Sequence, residues 1–288
     1  MTTLLRLEWA NLFRSRALAL GHLLVLLAGA SALLSGKSVI DRQREVLDSS
    51  HALHREHLDY LLATTDAGSP AGGMLFYLPL HTRHDPSPWA AFSLGQRDVA
   101  SYNLKVRLLA LEGQLYDSEL GNPEAAVLGH FDAAFVLVFL LPLLVIASIH
   151  DLISSDRELG IWDLVRSQPM PIARVVAAKL GVRLAAILTL PLALLGAAVI
   201  VLEAPVDARL FRVSAVVVLY LLFWFAAGLL VASRGQSSAW NSLALLGLWL
   251  ATTVVGPSLA NVAIATALPV PEALERYAMN QRGDDAAE

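Results

Sequence analysis

The segment from Ala133 to Ile153 reads AAFVLVFLLPLLVIASIHDLI and contains one acidic residue, Asp151, and no lysine or arginine. A helix that crosses a bilayer needs about 20 mostly apolar residues, and this segment has that length. Four other stretches meet the same criterion, at about 17–36, 180–202, 210–232 and 239–264. The sequence therefore predicts an all-α membrane protein with five transmembrane helices, numbered here as spans one to five in chain order.

The composition of the whole chain agrees with a membrane protein and excludes several other classes. Hydrophobic residues make up 56% of the 288 residues and charged residues 16%, whereas soluble domains contain about 25% charged residues. A soluble chain of this size has too little interior to bury so many apolar side chains. The net charge of −4 argues against a nucleic-acid partner. The absence of cysteine removes disulfides, thiolate metal sites and a cysteine nucleophile.

Lysine and arginine in short loops indicate which side of a membrane each loop faces. If the N-terminus is cytosolic, nine basic residues fall in cytosolic segments and four in short outer segments. The cytosolic set is Arg6, Arg14, Arg16, Arg157, Arg166, Arg174, Lys179, Arg183 and Arg234, and the outer set is Arg209, Arg212, Arg276 and Arg282. We therefore expect a cytosolic N-terminus.

Residues 1–16 precede span one and have an apolar face. Leu5, Trp9 and Phe13 recur at a spacing of four residues, with Arg6 and Arg14 off the centre of that face. This pattern predicts an amphipathic helix that lies in the inner membrane interface. The alternative is a simple cytosolic extension of span one.

Residues 37–132 separate spans one and two, and this orientation places them outside. The leucines of Asp41–Leu62 predict a helix that continues span one, and the glycines and prolines of 64–88 indicate irregular structure. A second helix is predicted from Asp98 to Tyr116, and Asn122-Pro123 is typical of a helix start leading into span two. We expect a mainly helical extracytoplasmic cap over 37–132. A polar tail, 265–288, follows span five.

The end of span one has a pattern similar to that of a nucleotide-binding site. Ser31–Ser38, SALLSGKS, approximates the phosphate-binding loop G-x-x-x-x-G-K-[ST]. Ser31 replaces the first glycine, and the segment lies in an apolar helix, so we expect no nucleotide there.

Ala28, Ala32 and Gly36 would let a helix approach span one closely, either within the chain or from a second copy. Pro142 and Pro191 are predicted to kink spans two and three.

Five histidines of the cap are candidate metal ligands. His51, His54 and His57 follow one another at three-residue steps on the predicted outer helix, and His81 and His84 come later. Zinc bound by imidazole usually takes three or four ligands. The alternative is a solvated helix face, which the neighbouring charged side chains favour, and we expect no bound metal.

The loop after span two carries the most specific pattern. His150 to Val182 reads HDLISSDRELGIWDLVRSQPMPIARVVAAKLGV. The charged residues Asp156, Arg157 and Glu158 precede Gly160, and the apolar residues Trp162 and Leu164 follow. Pro169 disfavours helical geometry at the residue before it, and a new helix can begin at Pro171. The loop 154–179 therefore predicts a surface that docks onto a cytosolic partner. The alternative is a plain connection between two spans.

This loop resembles the inner loop of type-2 ABC exporter permeases, whose pattern is E-R-E/Q-x-G-T-x-x-x-L-L-x-x-P with a following lysine. Here the matching residues are Asp156–Trp162, Ser167–Pro169 and Lys179, with Ile161 where the family often has threonine. Gly129–Val136, before span two, is similar to the corresponding stretch in one branch of the family. That branch places a large extracytoplasmic insert between spans one and two.

The resemblance implies a transmembrane subunit of a bacterial cytoplasmic (inner) membrane, without enzymatic activity or a bound cofactor of its own. It would pair with a second permease copy, as a homo- or heterodimer, and with separate ATPase subunits that bind ATP and magnesium. The docking residues would be Asp156, Arg157, Glu158, Gly160, Trp162 and Leu164, and the helix of Leu5, Trp9 and Phe13 would be a second contact.

The transporter implied by the resemblance would export a substrate or transmit force to an extracytoplasmic partner. Members of the family usually have six spans, whereas five are recognisable here. Two alternatives from other classes remain. One is a membrane anchor or assembly factor that presents the cap without using ATP, and the other is a metal-handling protein that uses the five histidines.

Overall fold

The computed structural model describes residues 2–64, 80–95, 102–103, 105–106 and 131–268. Five of the helices formed by these residues are long and apolar enough to cross a membrane, which confirms the predicted all-α membrane class. The elements in chain order are α1 (Thr2–Arg14), α2 (Arg16–Thr64), β1 (Leu80–His81), a 3-10 turn (Pro88–Ala91), β2 (Lys105–Val106), α3 (Ala133–Phe135), the π-helix π1 (Val136–Leu140), α4 (Leu141–Ile149), α5 (Ser154–Glu158), α6 (Trp162–Arg166), α7 (Ile172–Val201), α8 (Ala208–Ser233), α9 (Ser238–Leu250), the π-helix π2 (Ala251–Val255) and α10 (Gly256–Ala267).

The first transmembrane helix extends well beyond the membrane-spanning stretch. α2 is a single helix of 49 residues, and the predicted helix at Asp41–Leu62 is its outer part. Ser15 separates α1 from α2, and its hydroxyl accepts a hydrogen bond from the Leu18 amide at 3.4 Å, as an N-capping residue does. Lys37, in the middle of α2, pairs with Asp41 at 3.1 Å. The segment therefore lacks the loop geometry that wraps a phosphate.

One predicted helix of the cap is wrong where the structure describes it. Lys105–Val106 forms β2, which pairs antiparallel with β1, His81 standing opposite Lys105. The valine spacing suggested a helix, but the strand is decided by a partner segment distant in sequence. The predicted helix at Asp98–Tyr116 otherwise lies outside the described residues, apart from Tyr102 and Asn103. The predicted helix start at Asn122-Pro123 also lies outside them.

Span two consists of α3, π1 and α4, with Pro142 at the start of α4. Proline has no N–H to donate to the carbonyl four residues before it, which here is that of Val138. The hydroxyl of Tyr220, on α8, donates to this oxygen at 2.9 Å. Because water is absent from the hydrocarbon region, a neighbouring side chain must supply such a donor. Tyr220 thus makes the proline and the π-helix compatible with a membrane-spanning helix.

Spans one to four share one hydrophobic core, with Trp224 of α8 fully buried in it. A side chain at Gly29 would clash with Leu194 of α7, and one at Gly36 would clash with the Ala91 carbonyl. The small-residue face of span one therefore packs within the chain. Span five is more peripheral: α9 buries Asn241 and Leu245, while every residue of α10 is at least partly exposed.

Candidate functional site

The loop between spans two and three is built from two short helices joined at Gly160. Its φ angle is +71°, a left-handed conformation that glycine adopts without a steric penalty. The Gly160 amide donates to the Arg157 carbonyl and the Ile161 amide to the Asp156 carbonyl, both at 3.0 Å. These two bonds form a Schellman motif that ends α5. Gly160 therefore turns the chain sharply between α5 and α6.

The second break lies where the prolines predicted it. α6 ends at Arg166, ahead of Pro169, and α7 begins at Ile172 with Pro171 as its N-cap. The predicted loop, 154–179, thus includes the first residues of the α7 helix. Because α7 is continuous from Ile172 into span three, a movement of this loop is directly connected to a transmembrane helix.

Two ion pairs hold the loop against α7. Lys179 Nζ lies 2.6 Å from Asp156 Oδ2, and both side chains are nearly buried. Arg183 Nη1 lies 2.9 Å from Asp151 Oδ1, and the same guanidinium donates to the Ser148 carbonyl. The Asp156 carboxylate, a predicted docking residue, therefore faces the interior of the chain and positions the loop.

Glu158 joins the loop to span five. Its carboxylate accepts hydrogen bonds from the Ser238 amide at 2.7 Å and from the Ser238 hydroxyl at 3.0 Å. Ser238 is the first residue of α9, where amide groups have no partner within the helix and where the helix dipole favours a negative charge. Glu158 therefore acts as a capping group supplied by a distant segment.

A buried polar cluster lies behind this contact. The hydroxyls of Ser154 and Ser238 are 2.7 Å apart. The side chain of Asn241 is fully buried, and its Nδ2 donates to the His150 carbonyl at 3.0 Å. Together these bonds connect the end of span two, the loop and the start of span five.

Arg157 and Trp162 pack against each other across the Gly160 turn. The guanidinium carbon lies 5.0 Å from the centre of the Trp162 ring, a cation–π arrangement. Arg157 also lies against Gly235, in the turn between spans four and five, which has a φ of +75°. A Cβ at Gly235 would stand 2.5 Å from Arg157 Nη1. The backbone angle favours glycine at this position, and a larger residue would also displace the end of the Arg157 side chain.

Apolar side chains project from the outer surface of the loop. Leu159 is 72% exposed and Leu164 is 64% exposed, and Ile161 is also exposed. Trp162 is half-buried. Leu159, Ile161 and Leu164 thus lie exposed at the end of a helical bundle, beside charged residues, and Trp162, next to Ile161 in the chain, packs partly against Leu152, Ile153 and Ala232. We call Leu159, Ile161, Trp162 and Leu164 the loop patch.

The amphipathic helix packs beside the same region, but with a partly different face. α1 contacts α7; Leu5 and Trp9 are half-buried, whereas Phe13 is 73% exposed. Trp9 and Phe13 stack, with ring centres 5.5 Å apart. Trp9 and Phe13 therefore lie on one face of α1, as their spacing predicted.

Glu8 of α1 is a residue that the sequence reasoning missed. It is only 8% exposed, and burial raises the pKa of its carboxyl, an effect partly opposed by the nearby charges of Lys179 and Arg183. Leu4, Glu8 and Leu12 are four residues apart, and this second pattern could have indicated the packed face. The result is an acid in α1 beside the ion pairs of the loop.

The candidate metal ligands of the cap do not come together as a site within the described residues. The rings of His54 and His81 lie 6.0 Å apart, edge to face, and His81 contacts Asn103 at 3.3 Å. His51 is half-buried on α2, while His57 and His84 are exposed. Among the described residues, no group of three histidines or carboxylates is arranged to hold a metal ion.

Comparison with known proteins gives one match. The sequence model of a family described as "ABC-2 family transporter protein" matches residues 2–282. No curated protein matches, and no solved structure matches.

Proposed function

This chain belongs to the ABC-2 transporter family and is a membrane permease of an ABC transporter, and we propose that it couples a separate cytosolic ATPase to export or to force on an extracytoplasmic partner. In this proposal ATP and magnesium bind to the ATPase and not to this chain. The protein lies in a bacterial cytoplasmic membrane with its N-terminus in the cytosol. It works as a dimer with a second permease copy.

The observation that carries the proposal is the construction of the loop at 154–179. Its loop patch is largely exposed, while two of its acids are bonded inward: Asp156 to Lys179 on α7 and Glu158 to Ser238 on α9. A docked ATPase would cover the patch and remove its apolar surface from water. Movement of the ATPase would then reach spans three and five through these two contacts.

This arrangement refines the roles proposed for the predicted docking residues. Trp162 and Leu164 would contact the ATPase, and Gly160 and Arg157 would shape the turn that presents them. Asp156 and Glu158 would position the loop and transmit its movement. α1, which lies beside the loop through α7, would provide the second contact with the ATPase.

The proposal is tested by purifying the tagged protein from its native membrane in mild detergent and identifying the proteins that accompany it. We expect a stoichiometric ABC ATPase with the native sequence. We expect its loss with L159D or L164D, because each substitution places a charge in the docking interface.

Matched controls are L53D and L62D, on the outer half of α2, where the leucines are similarly exposed. These variants should retain the ATPase. Recovery of envelope proteins without an ATPase, even after crosslinking, would instead favour a membrane anchor that presents the cap. Equal ATPase recovery with all four variants would show that the loop patch is not the docking surface.

A further inference from the structure

We propose that the groove between α1, the first turns of α2 and α7 binds one anionic phospholipid from the leaflet at which α1 lies. The groove has a volume of about 390 Å³, within the range of roughly 300–1,000 Å³ that is typical of small-molecule sites. In this assignment an acyl chain occupies the groove and the lipid phosphate lies between Arg14 and Arg16.

The wall of the groove suits a hydrocarbon chain. The stacked rings of Trp9 and Phe13 form one side, and leucine and alanine side chains form most of the remainder. The hydroxyl of Thr189 already donates to the Ala186 carbonyl at 2.6 Å. Leu20 and Leu24, on the neighbouring surface of α2, are exposed, so the groove adjoins a surface that a bilayer would cover.

His22 supplies a polar atom inside this apolar wall. Its Nδ1 lies 2.8 Å from the Leu18 carbonyl, which only accepts hydrogen bonds, so this nitrogen is the donor. Its Nε2 is buried and has no partner among the described residues, although buried polar atoms are usually paired. With Nδ1 as the donor, Nε2 of the neutral ring is an acceptor, so a donor such as a water at the lipid interface would complete its hydrogen bonding.

Positive charges that lie in the chain between the groove-lining residues Phe13 and Leu18 favour an anionic headgroup. Arg14 and Arg16 flank Ser15, are exposed and form no ion pair with a described carboxylate. The one buried acid of α1, Glu8, lies near Lys179 and Arg183. A second copy that covered the groove with its own equivalent face would bring the two pairs of arginines together. A phospholipid anion satisfies both the apolar wall and the arginines.

The test uses the fluorescence of Trp9 in the full chain, reconstituted into phosphatidylcholine vesicles. A minor fraction of the lipid is either brominated phosphatidylglycerol or brominated phosphatidylcholine, because bromine quenches tryptophan on contact. The chain has six tryptophans, so the Trp9 signal is the difference between the native protein and W9F. We expect stronger Trp9 quenching by phosphatidylglycerol, with about a fivefold contribution to relative affinity from each arginine.

Two variants, each with a matched control, distinguish a specific lipid-binding site from general contact with the bilayer. The double variant R14Q/R16Q should reduce the preference for phosphatidylglycerol to near unity, whereas R166Q, which removes a charge elsewhere at the same end of the bundle, should leave it unchanged. A19F should fill the groove and lower Trp9 quenching by both lipids, whereas A17F, at an exposed alanine outside the groove, should not.

Several outcomes would overturn the assignment. Equal quenching of Trp9 by the two brominated lipids would show contact with bulk lipid only. An unchanged preference in R14Q/R16Q would show that the arginines do not hold the headgroup. Protection of Trp9 from both lipids would show that protein occupies the groove. Displacement of the lipid by inorganic phosphate would show a site for the free anion.

Discussion

Single residues in this protein connect segments that are far apart in the chain, and Glu158 is the clearest example. Its carboxylate caps the start of α9 through two hydrogen bonds to Ser238, 80 residues away. The same loop motif also contains Asp156, which is bound inward to Lys179. Within one short helix, therefore, two acids stabilise the position of the loop relative to two different spans.

The E158A variant should lose coupling while retaining expression. Removal of both hydrogen bonds to Ser238 should lower the free energy of unfolding by about 1 kcal/mol, the usual cost of losing an N-capping group. In reconstituted membranes, E158A should stimulate ATP hydrolysis by the partner ATPase less than the native chain does. The decrease should be larger than this small loss of stability explains. E45A, at an exposed acid on the outer part of α2, is the matched control and should change neither quantity. If E158A stimulates the partner ATPase as well as the native chain does, the contact between Glu158 and α9 does not transmit the movement of the loop.

Glu8 predicts a dependence of stability on pH. Because burial raises the pKa of its carboxyl in the folded protein, the folded state binds a proton more tightly than the unfolded state does. Its contribution to stability is fully present below the ordinary glutamate pKa of 4.5 and is lost as the pH rises through the folded value.

E8Q, which keeps the neutral form at every pH, should therefore be more stable than the native protein at neutral pH. The difference should disappear below about pH 4.5. Thermal unfolding of both proteins in detergent across this range measures the effect, with E45Q as the control. A native protein more stable than E8Q at neutral pH would show that attraction to Lys179 and Arg183 outweighs burial.

At the scale of elements, span two depends on its neighbour for a complete set of hydrogen bonds. Pro142 leaves the Val138 carbonyl without its helical donor, and Tyr220 of α8 provides one. Span four thus stabilises the kink-prone part of span two, next to the core centred on Trp224. The predicted disturbance at Pro142 coincides with π1, which immediately precedes α4.

Y220F should reduce the free energy of unfolding by about 0.6 kcal/mol, the average for hydrogen bonds between membrane helices, and by no more than about 1.7 kcal/mol, the largest such value. In a P142A background the same substitution should cost less, because alanine restores an amide donor within span two. A double-mutant cycle of thermal unfolding measures this difference. If Y220F has the same effect in both backgrounds, the tyrosine hydroxyl does not compensate for the proline.

At the scale of the whole molecule, the described parts form a bundle with a helix extending from one end and the loop patch at the other. α2 carries the chain from Arg16 to Thr64 without interruption, and this long helix separates the cap from the loop at 154–179. The two ends therefore face opposite sides of a membrane whichever orientation the chain adopts. The count of basic residues favours the loop as the cytosolic end.

Cysteine labelling tests this orientation directly, because the chain contains no cysteine. E56C, on the outer part of α2, should react with a membrane-impermeant maleimide in intact cells. D163C, on α6, should react only after the membrane is opened. Both residues are exposed, so their intrinsic accessibility is comparable. The reverse labelling pattern would place the loop outside and exclude docking of a cytosolic ATPase.

The sequence alone determined the features that depend on local length, hydropathy and backbone geometry. The five spans follow from apolar stretches long enough to cross a bilayer. The interruption at Pro169 follows because proline disfavours helical geometry at the residue before it, whereas the left-handed turn at Gly160 is shown only by the structure. The loop motif likewise identified the family before any contact was known, because it consists of neighbouring residues.

The tertiary structure decided every feature that requires two distant segments to meet. No local pattern shows that Glu158 caps α9 or that Asp156 faces Lys179. The spacing of Leu4, Glu8 and Leu12 indicates a packed face but not that Glu8 lies near Lys179 and Arg183. The strand at Lys105–Val106 was missed for the same reason, since a strand is stabilised by a partner and not by its own residues. Burial and hydrogen bonding across elements depend on how the helices pack, and helical periodicity constrains only which face is apolar, not what that face contacts.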